Sequence, residues 1–355
     1  MTEGVPLRDE TNRLNLFAQE EMERRKKSKV LVTAEEIDAQ FSDERKNSHI
    51  LIADPFIGSN QKTFRFWVNR GPIDRGSAEG RTLGHRHTVE AVIYIHQGSG
   101  WSIIDGVKHL WEAGDLICVP VFAWHLHFNQ LDVPLIHYAA TTGPLSMYQG
   151  IAIYEDDRYP ELWVYANQGD EAQRTLIPGG TDRDRIVYDQ SKWKPPARTD
   201  GGELTSAELY YEQLEYAQEE EKRRRTSKVI VRQQDLKFGP TPMGRVAYAV
   251  DPRLGFHVKL LSTLVAEVPP GKRSGAHRHL YEETDFVLAG SGYAIVDDRR
   301  YDFQKGDSLI IPRFAWHQYF CTGDEPARFL VHTDRVAMES TGYLHTQQAE
   351  PADYE

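Results

Sequence analysis

Short apolar runs separated by glycine-rich turns fill two stretches of the chain, residues 50–141 and the region after residue 245. Runs of this length and spacing predict the strands of a β-sandwich or barrel. The predicted strands cover residues 30–32, 50–57, 64–68, 91–96, 101–104, 107–111, 115–119, 124–128, 135–141, 151–164, 245–250, 256–268 and 308–311. Charged stretches with sparse apolar positions predict helices over residues 12–27, 33–41 and 204–225. The predicted fold is therefore mainly β with short accessory helices.

The pattern of the first stretch returns in the second, 192 residues later. The recurring segments are His85-Arg86-His87 with His277-Arg278-His279, Ala123-Trp124-His125 with Ala315-Trp316-His317, and Gly98, Gly114 and Pro120 with Gly290, Gly306 and Pro312. Upstream, residues 16–21 resemble residues 215–220. Self-similarity at this scale indicates a duplicated domain and not a solenoid, whose periods are much shorter.

The chain has 355 residues, of which 40% are hydrophobic, and this is enough for two domains of ordinary size. Residues 169–203 are rich in Gly, Pro, Asp and Arg, which is typical of a linker. We therefore predict an N-terminal domain over residues 1–168 with a helical arm. A C-terminal domain over residues 204–355 follows the linker and has a helical arm and a polar tail.

Charge and cysteine content exclude several classes of function. The net charge of −11 argues against a nucleic-acid partner, which requires a basic face. No apolar stretch approaches the length of a membrane span, and the first residues do not resemble a signal peptide. Two cysteines cannot form a disulfide framework and fit a reducing compartment. We expect a cytoplasmic homo-oligomer that binds neither nucleic acid nor membrane.

In the second copy, His277, His279 and Glu283 share one face of their strands, because alternate residues of a strand point the same way. His317 arrives on a later strand, after a Gly-Asp turn and an apolar run. Three imidazoles and one carboxylate that converge inside a barrel suit a divalent first-row metal.

The first copy lacks one of these ligands. Ala91 stands at the position of Glu283, and the side chain of the adjacent Glu90 would face the other way. The candidate ligands of the first site are therefore His85, His87 and His125. Fewer protein ligands leave more open positions on a metal.

Further candidates flank the first site. His127 shares the interior face with His125 and is either a hydrogen-bonded core residue or a catalytic group that contacts the substrate. Trp101, Phe122 and Trp124 are either core residues or an aromatic wall that binds the substrate.

Both copies resemble the cupin family, since the two histidines, the glycines and the last histidine follow its two motifs in each copy, and the second copy also has the glutamate. This resemblance implies a double-stranded β-helix, or jelly roll, in each copy. Two positions depart from the usual cupin pattern: many cupins have Gly at Phe314 and Asn at Cys321.

The first copy, with Gly84-His85-Arg86-His87-Thr88 and Trp124-His125-Leu126-His127, resembles the bicupin group of gentisate, salicylate and 1-hydroxy-2-naphthoate dioxygenases. The resemblance implies an Fe(II)-dependent enzyme that uses dioxygen to open the ring of a hydroxylated aromatic acid. It also implies that His85, His87 and His125 bind the iron and that His127 lies beside the substrate. The second site would hold another divalent metal, such as Fe, Mn, Ni or Zn.

Two features depart from this group. At the position of Ile93, members of the group commonly have an arginine that binds the carboxylate of the substrate. Their second barrel often lacks a complete set of metal ligands, whereas the second copy of this chain has all four. Two alternatives therefore stay open. One is a metal-dependent decarboxylase or isomerase acting at the C-terminal site, and the other is a bicupin that only binds a metal or a small molecule.

Overall fold

The computed structural model describes residues 10–41, 49–71, 83–130, 134–158, 162–165, 176–178 and 201–353. Its residues form two compact units. The unit called the first barrel contains Arg70–Asp235 and Val250–Lys259. The unit called the second barrel contains Met1–Asn69, Leu236–Ala249 and Leu260–Glu355. The prediction of a mainly β chain with two barrels and a few helices is confirmed.

Five α-helices lie in the described part of the chain: α1 Glu10–Lys27, α2 Ala34–Gln40, α3 Gly143–Tyr148, α4 Ser206–Arg225 and α5 Arg335–Ser340. Thr33 begins α2 through a capping box, in which its hydroxyl accepts the Glu36 N–H and the Glu36 carboxylate accepts the Thr33 N–H. Thr205 and Glu208 form the same motif at α4, so both arms begin their capped helices in the same way.

The strands that precede residue 235 are β1 Leu31–Val32, β2 Ile50–Ala53, β3 Arg65–Arg70, β4 His85–His87, β5 Ala91–Gln97, β6 Ser99–Ile104, β7 Val107–Glu112, β8 Leu116–Val119, β9 His125–Asn129, β10 Ile136–Thr141, β11 Ile153–Asp156, β12 Leu162–Tyr165, β13 Leu176–Pro178 and β14 Ile230–Val231. Those that follow are β15 Gly239–Pro240, β16 Arg245–Val250, β17 Ser262–Val268, β18 Ala276–His279, β19 Glu283–Ala289, β20 Ser291–Val296, β21 Arg299–Gln304, β22 Ser308–Ile311, β23 His317–Cys321, β24 Ala327–Thr333 and β25 Thr346–Glu350.

The first barrel is built from two antiparallel sheets. One has the order β13-β12-β11-β4-β9-β6-β7, and the other contains β14, β8, β5 and β10 side by side. Alternating residues point inward, and Ile95, Leu116, Ile117 and Trp111 are among its most deeply buried side chains. Burial of such side chains is the main force that stabilises the sandwich.

The second barrel repeats this arrangement. Its sheets have the orders β1-β22-β19-β24-β17-β16-β15 and β21-β20-β23-β18-β25. Val30, Val287, Leu309 and Phe329 belong to one continuous buried cluster. The cluster includes a residue of the N-terminal arm, which is therefore an integral part of this core.

The short strand of each helical arm does not pair with the barrel that follows it in the sequence. Strand β1 of the N-terminal arm pairs with β22 of the second barrel, and β14 of the later arm pairs with β8 of the first barrel. The Val30 carbonyl accepts the Ile310 N–H, just as the Val229 carbonyl accepts the Cys118 N–H, each at 2.7 Å. Each arm strand thus extends the barrel of the other copy, and not the barrel of the copy in which it was predicted to lie.

Most of the predicted linker, residues 169–203, lies outside the described residues. The described part of the linker includes β13, which extends a sheet of the first barrel. None of the helices within the described ranges is both long and apolar enough to cross a membrane.

Candidate functional site

Three imidazoles of the first barrel converge from two neighbouring strands. His85 and His87 lie on β4, and His125 begins β9 directly opposite His85. The ring centroids of His85 and His87 lie 4.2 and 4.8 Å from that of His125. One nitrogen from each ring lies within 4.8 Å of the others, which is a separation that one metal ion can bridge.

Backbone carbonyls orient two of these rings. The Nδ1 atom of His87 donates to the Val89 carbonyl at 2.7 Å, and that of His125 donates to the Ala123 carbonyl at 2.8 Å. A carbonyl can only accept, so Nδ1 holds the proton and Nε2 keeps its lone pair for a metal. Burial lowers the pKa of both rings, and the neighbouring imidazoles lower that of His125 further. The neutral, ligating form is therefore favoured.

The first cluster has no carboxylate at the fourth position. Ala91 pairs with Val119 and Thr141, the counterparts of the residues that pair with Glu283 in the second barrel. The Glu90 carboxylate turns away and accepts the backbone N–H of Lys259 at 2.5 Å. The donor set of the first cluster is therefore purely imidazole.

His127 is buried next to this cluster, with its ring centroid 5.4 Å from that of His125. The His127 Nδ1 lies 2.7 Å from the Ser102 hydroxyl, which also accepts the Trp111 indole N–H at 3.0 Å. We call this the Trp111–Ser102–His127 chain. Burial, together with His87, lowers the pKa of His127 to about 4. The ring is therefore neutral near pH 7 and held in one orientation.

The predicted aromatic wall does not face this cluster. Trp101 stacks on Phe128 at 5.3 Å, on the face of β6 opposite the inward-pointing Ser102. Phe122 and Trp124 pack on the Arg86 guanidinium, 4.5 and 4.8 Å from its carbon atom. Arg86 alternates with the two ligand histidines along β4 and points the other way. These contacts favour a structural role for all three aromatic residues.

Two phenylalanines occupy a backbone conformation that favours glycine. The φ angles of Phe122 and Phe314 are +63° and +61°. The Phe314 N–H donates to the carbonyl of His279 at 2.7 Å, and its ring packs 4.0 Å from the guanidinium carbon of Arg278. The glycine expected at this position of a cupin is thus replaced by a residue that its neighbours hold in the same conformation.

The second barrel brings its four predicted ligands together. His277 lies opposite His317, with ring centroids 4.1 Å apart, and the His279 centroid is 5.0 Å from that of His317. The Glu283 carboxylate oxygens lie 3.2 Å from the His279 Nε2 and 3.5 Å from the His317 Nε2. Both Nε2 atoms are buried and make no hydrogen bond within the described chain, as expected of atoms directed at a metal.

A buried acid and a phenol adjoin this second cluster. The Tyr319 hydroxyl donates to the Asp285 carboxyl and lies 3.4 Å from Glu283. Burial and the charge of Glu283 raise the pKa of Asp285 well above its usual range. Burial and the two acidic neighbours raise that of Tyr319. The first barrel has Ile93 and His127 at the corresponding positions.

Sequence reasoning missed Ser102, Trp111 and Asp285. The signal was present in the 192-residue repeat, where these residues correspond to Ala294, Phe303 and Ile93 of the other copy. A position that is polar in one copy and apolar in the other is one at which the chemistry of the two barrels has diverged.

Two regions of the chain match the model of the cupin domain, residues 77–139 and 264–333. They coincide with the two barrels and contain both histidine clusters. The resemblance to cupins is therefore confirmed for each copy.

Among curated proteins, 1-hydroxy-2-naphthoate 1,2-dioxygenase of Nocardioides sp. (strain KP7) is 26% identical over 302 residues, 79% of this chain and 70% of that protein. The 5-aminosalicylate 1,2-dioxygenase of Comamonas sp is 23% identical over 274 residues, 74% of this chain and 64% of that protein. The chain thus spans about two thirds of the length of these relatives.

Among solved structures, salicylate 1,2-dioxygenase from Pseudaminobacter salicylatoxidans superposes with a TM-score of 0.57 at 15% identity. The match covers 90% of this chain and 87% of the other, which shows a shared fold. Two regions of the chain therefore match the cupin domain, and the chain is similar to proteins named gentisate, salicylate and 1-hydroxy-2-naphthoate dioxygenases.

Proposed function

We propose that the first barrel is the catalytic centre of an Fe(II)-dependent dioxygenase that cleaves the ring of a hydroxylated aromatic acid. The observation that supports this most directly is the purely imidazole cluster of His85, His87 and His125, with Ala91 in place of a fourth ligand. A three-ligand cluster leaves room for a chelating substrate and for dioxygen. The names of the relatives, all ring-cleaving dioxygenases of aromatic acids, favour the same chemistry.

The residues of the first cluster fit the proposed iron. Their nitrogens converge, the Nδ1 protons of His87 and His125 are used by backbone carbonyls, and burial lowers the pKa of these two rings. Iron, when bound, supplies a redox-active Lewis acid with open coordination positions. The protein contributes the shape of the site and the orientation of the His87 and His125 rings.

His127 is the proposed substrate-contacting residue. Trp111 can only donate, so Ser102 accepts that hydrogen bond and can still donate to or accept from the Nδ1 atom of His127. The other ring nitrogen, Nε2, is then the atom that can reach an oxygen of the substrate. A neutral, fixed imidazole suits hydrogen bonding to a hydroxyl or carboxylate of the aromatic acid.

The position of Ile93 is apolar and buried, so the carboxylate of the substrate is not bound by a cation at this point of β5. Arg65, one of the arginines upstream of the site, forms an ion pair of 2.9 Å with Asp54. The substrate therefore need not be gentisate itself. We propose the wider class of aromatic acids that have a hydroxyl group beside the carboxylate.

The second cluster is proposed to hold a divalent metal as well, either Fe, Mn, Ni or Zn, through His277, His279, Glu283 and His317. Metal analysis should therefore give close to two ions per fully loaded chain. We also propose a homo-oligomer, since Leu16, Phe17 and Met22 expose apolar surface on α1. Light scattering on the purified chain measures this directly.

The test is oxygen consumption by protein loaded anaerobically with Fe(II). A panel of gentisate, salicylate, 5-aminosalicylate and 1-hydroxy-2-naphthoate should include at least one acid that starts oxygen uptake. Protein loaded with Zn(II) is the matched control, because zinc fits histidine ligands but has no redox chemistry.

Equal turnover with zinc would contradict the dioxygenase, and so would release of carbon dioxide without consumption of oxygen. The second result would favour a decarboxylase at one of the two clusters. Binding of an acid with no turnover under any metal would favour a binding protein.

A further inference from the structure

A cavity of about 60 Å³ lies inside the second barrel, beside the second histidine cluster. Its lining includes the polar side chains of His277 and Glu283 and the apolar side chains of Leu264, Phe329 and Val331. An apolar lining with a few polar groups is typical of a small-molecule site. This volume accommodates a ligand of a few non-hydrogen atoms.

The Asp285 carboxyl group, which also lines this cavity, has one oxygen without a partner. Its side chain is almost completely buried, and the Tyr319 hydroxyl bonds to its Oδ2 atom. The other oxygen, Oδ1, makes no hydrogen bond within the described chain. Buried polar atoms nearly always have a partner, so this oxygen is expected to meet one in the cavity.

The acid and the phenol are not needed by the fold. The first barrel has the same strands and register, with Ile93 and His127 at these two positions. A purely structural requirement would apply to both copies of the duplication. The Asp285–Tyr319 pair is therefore a property of this one cavity.

The net charge expected at the second cluster restricts the charge of the ligand. A divalent ion held by three neutral imidazoles and the Glu283 carboxylate would retain one positive charge, which one carboxylate of a ligand would neutralise. A hydroxyl group can either donate to or accept from Asp285, so its match with Oδ1 does not depend on whether that acid is protonated.

We propose that this cavity is a second ligand site, which binds a small 2-hydroxy monocarboxylate. The carboxylate of the ligand would meet the metal-binding cluster, and its hydroxyl would meet Asp285 Oδ1 beside the Tyr319 hydroxyl. The site depends on a metal at the second cluster but not on ring cleavage at the first.

The test compares glycolate with acetate, two probes that differ by a single hydroxyl. Binding is measured by calorimetry on the full chain loaded with Zn(II), after metal analysis has shown that the second cluster is filled. Glycolate should bind about tenfold more tightly, which is the effect of one additional buried hydrogen bond. Asp285→Leu should remove this preference, and Asp285→Asn, which keeps a donor and an acceptor, should preserve it.

His85→Ala separates the two barrels, since it removes a ligand of the first cluster and should leave the glycolate preference unchanged. If Asp285→Leu does not fold, Tyr319→Phe takes its place and should reduce the preference. Equal binding of the two probes to the wild-type chain would overturn the proposal. Loss of the preference in His85→Ala, its survival in Asp285→Leu or Tyr319→Phe, or a second cluster that takes up no metal would overturn it too. Failure of ring cleavage alone would leave these binding results unaffected.

Discussion

At the residue scale, the two barrels differ most beside their histidine clusters. Strand parity predicted from the sequence that His127 faces inward, and it does. The sequence could not indicate its partner, because Ser102 and Trp111 lie on other strands and only the register of those strands brings them together. In the second barrel, Tyr319 stands at the position of His127, and Ala294 and Phe303 stand at the positions of Ser102 and Trp111. The chain of hydrogen bonds is therefore present only in the barrel that has the histidine.

Ser102→Ala should lower the oxygen uptake of iron-loaded protein by about tenfold, since it removes the hydrogen bond that orients His127. Iron content should be unchanged, because the hydrogen bonds that orient His87 and His125 do not involve Ser102. Ser102→Thr retains the hydroxyl and should recover most of the activity. The matched control is Ala294→Ser in the second barrel, for which we expect normal turnover. Unaltered turnover in Ser102→Ala would remove this residue from the account.

His127→Phe should preserve folding and iron content, because the volume of the ring is roughly kept. Oxygen uptake should fall by about a hundredfold or more, as is usual when one positioned hydrogen-bonding group is lost. Iron content, melting temperature and oxygen uptake are measured on the same preparation. Near-normal uptake with a shifted melting temperature would show that His127 is only a core residue.

His332 should make the metal-free chain less stable in acid. Burial lowers its pKa to about 3, whereas an unfolded histidine titrates near 6.5. Between these values the unfolded chain binds a proton that the folded chain does not, so the free energy of unfolding falls as the pH drops. The contribution is up to about 1.4 kcal/mol per pH unit.

Urea unfolding of wild-type protein and of His332→Gln, measured from pH 7 to pH 4, tests this contribution. Glutamine can keep the 2.9 Å hydrogen bond to Thr263 but does not titrate. The wild type should lose stability more steeply than the variant as the pH falls. Parallel curves would mean that His332 does not contribute.

At the element scale, the strands were largely predictable and the attachment of the arms was not. Alternating apolar positions and glycine turns located most strands of both barrels. The strands with which the two arms pair, however, are both short and mainly apolar: β8 is Leu-Ile-Cys-Val and β22 is Ser-Leu-Ile-Ile. With two equivalent edges available, only the tertiary structure decides which barrel each arm completes, and proximity in sequence suggested the wrong one.

Matched substitutions in the two arms test this exchange. Val30 and Val229 are equally buried at the starts of equivalent arm strands. Val30→Asp should increase hydrogen exchange in β22, and Val229→Asp should increase it in β8, because each places a carboxylate in the barrel that its arm completes. Increased exchange in β8 after Val30→Asp would contradict the observed pairing.

At the scale of the whole molecule, the duplication has produced two barrels with different donor sets. The repeat predicted that the first barrel has three histidines and the second has three histidines and a glutamate, and the structure brings each set together. The cavity and the Asp285–Tyr319 pair could not be predicted, since both depend on how strands distant in sequence pack around the second cluster. The central claim is that ring cleavage belongs to the first barrel alone.

The most direct test compares His85→Ala with His277→Ala, each loaded anaerobically with Fe(II) and assayed for metal content and oxygen uptake with the acid that the wild-type chain accepts. Each variant should retain about one metal ion per chain, held by the intact barrel. His85→Ala should show no oxygen uptake, and His277→Ala should retain most of it. If His277→Ala abolishes uptake while His85→Ala keeps it, the chemistry belongs to the second barrel and the account is wrong.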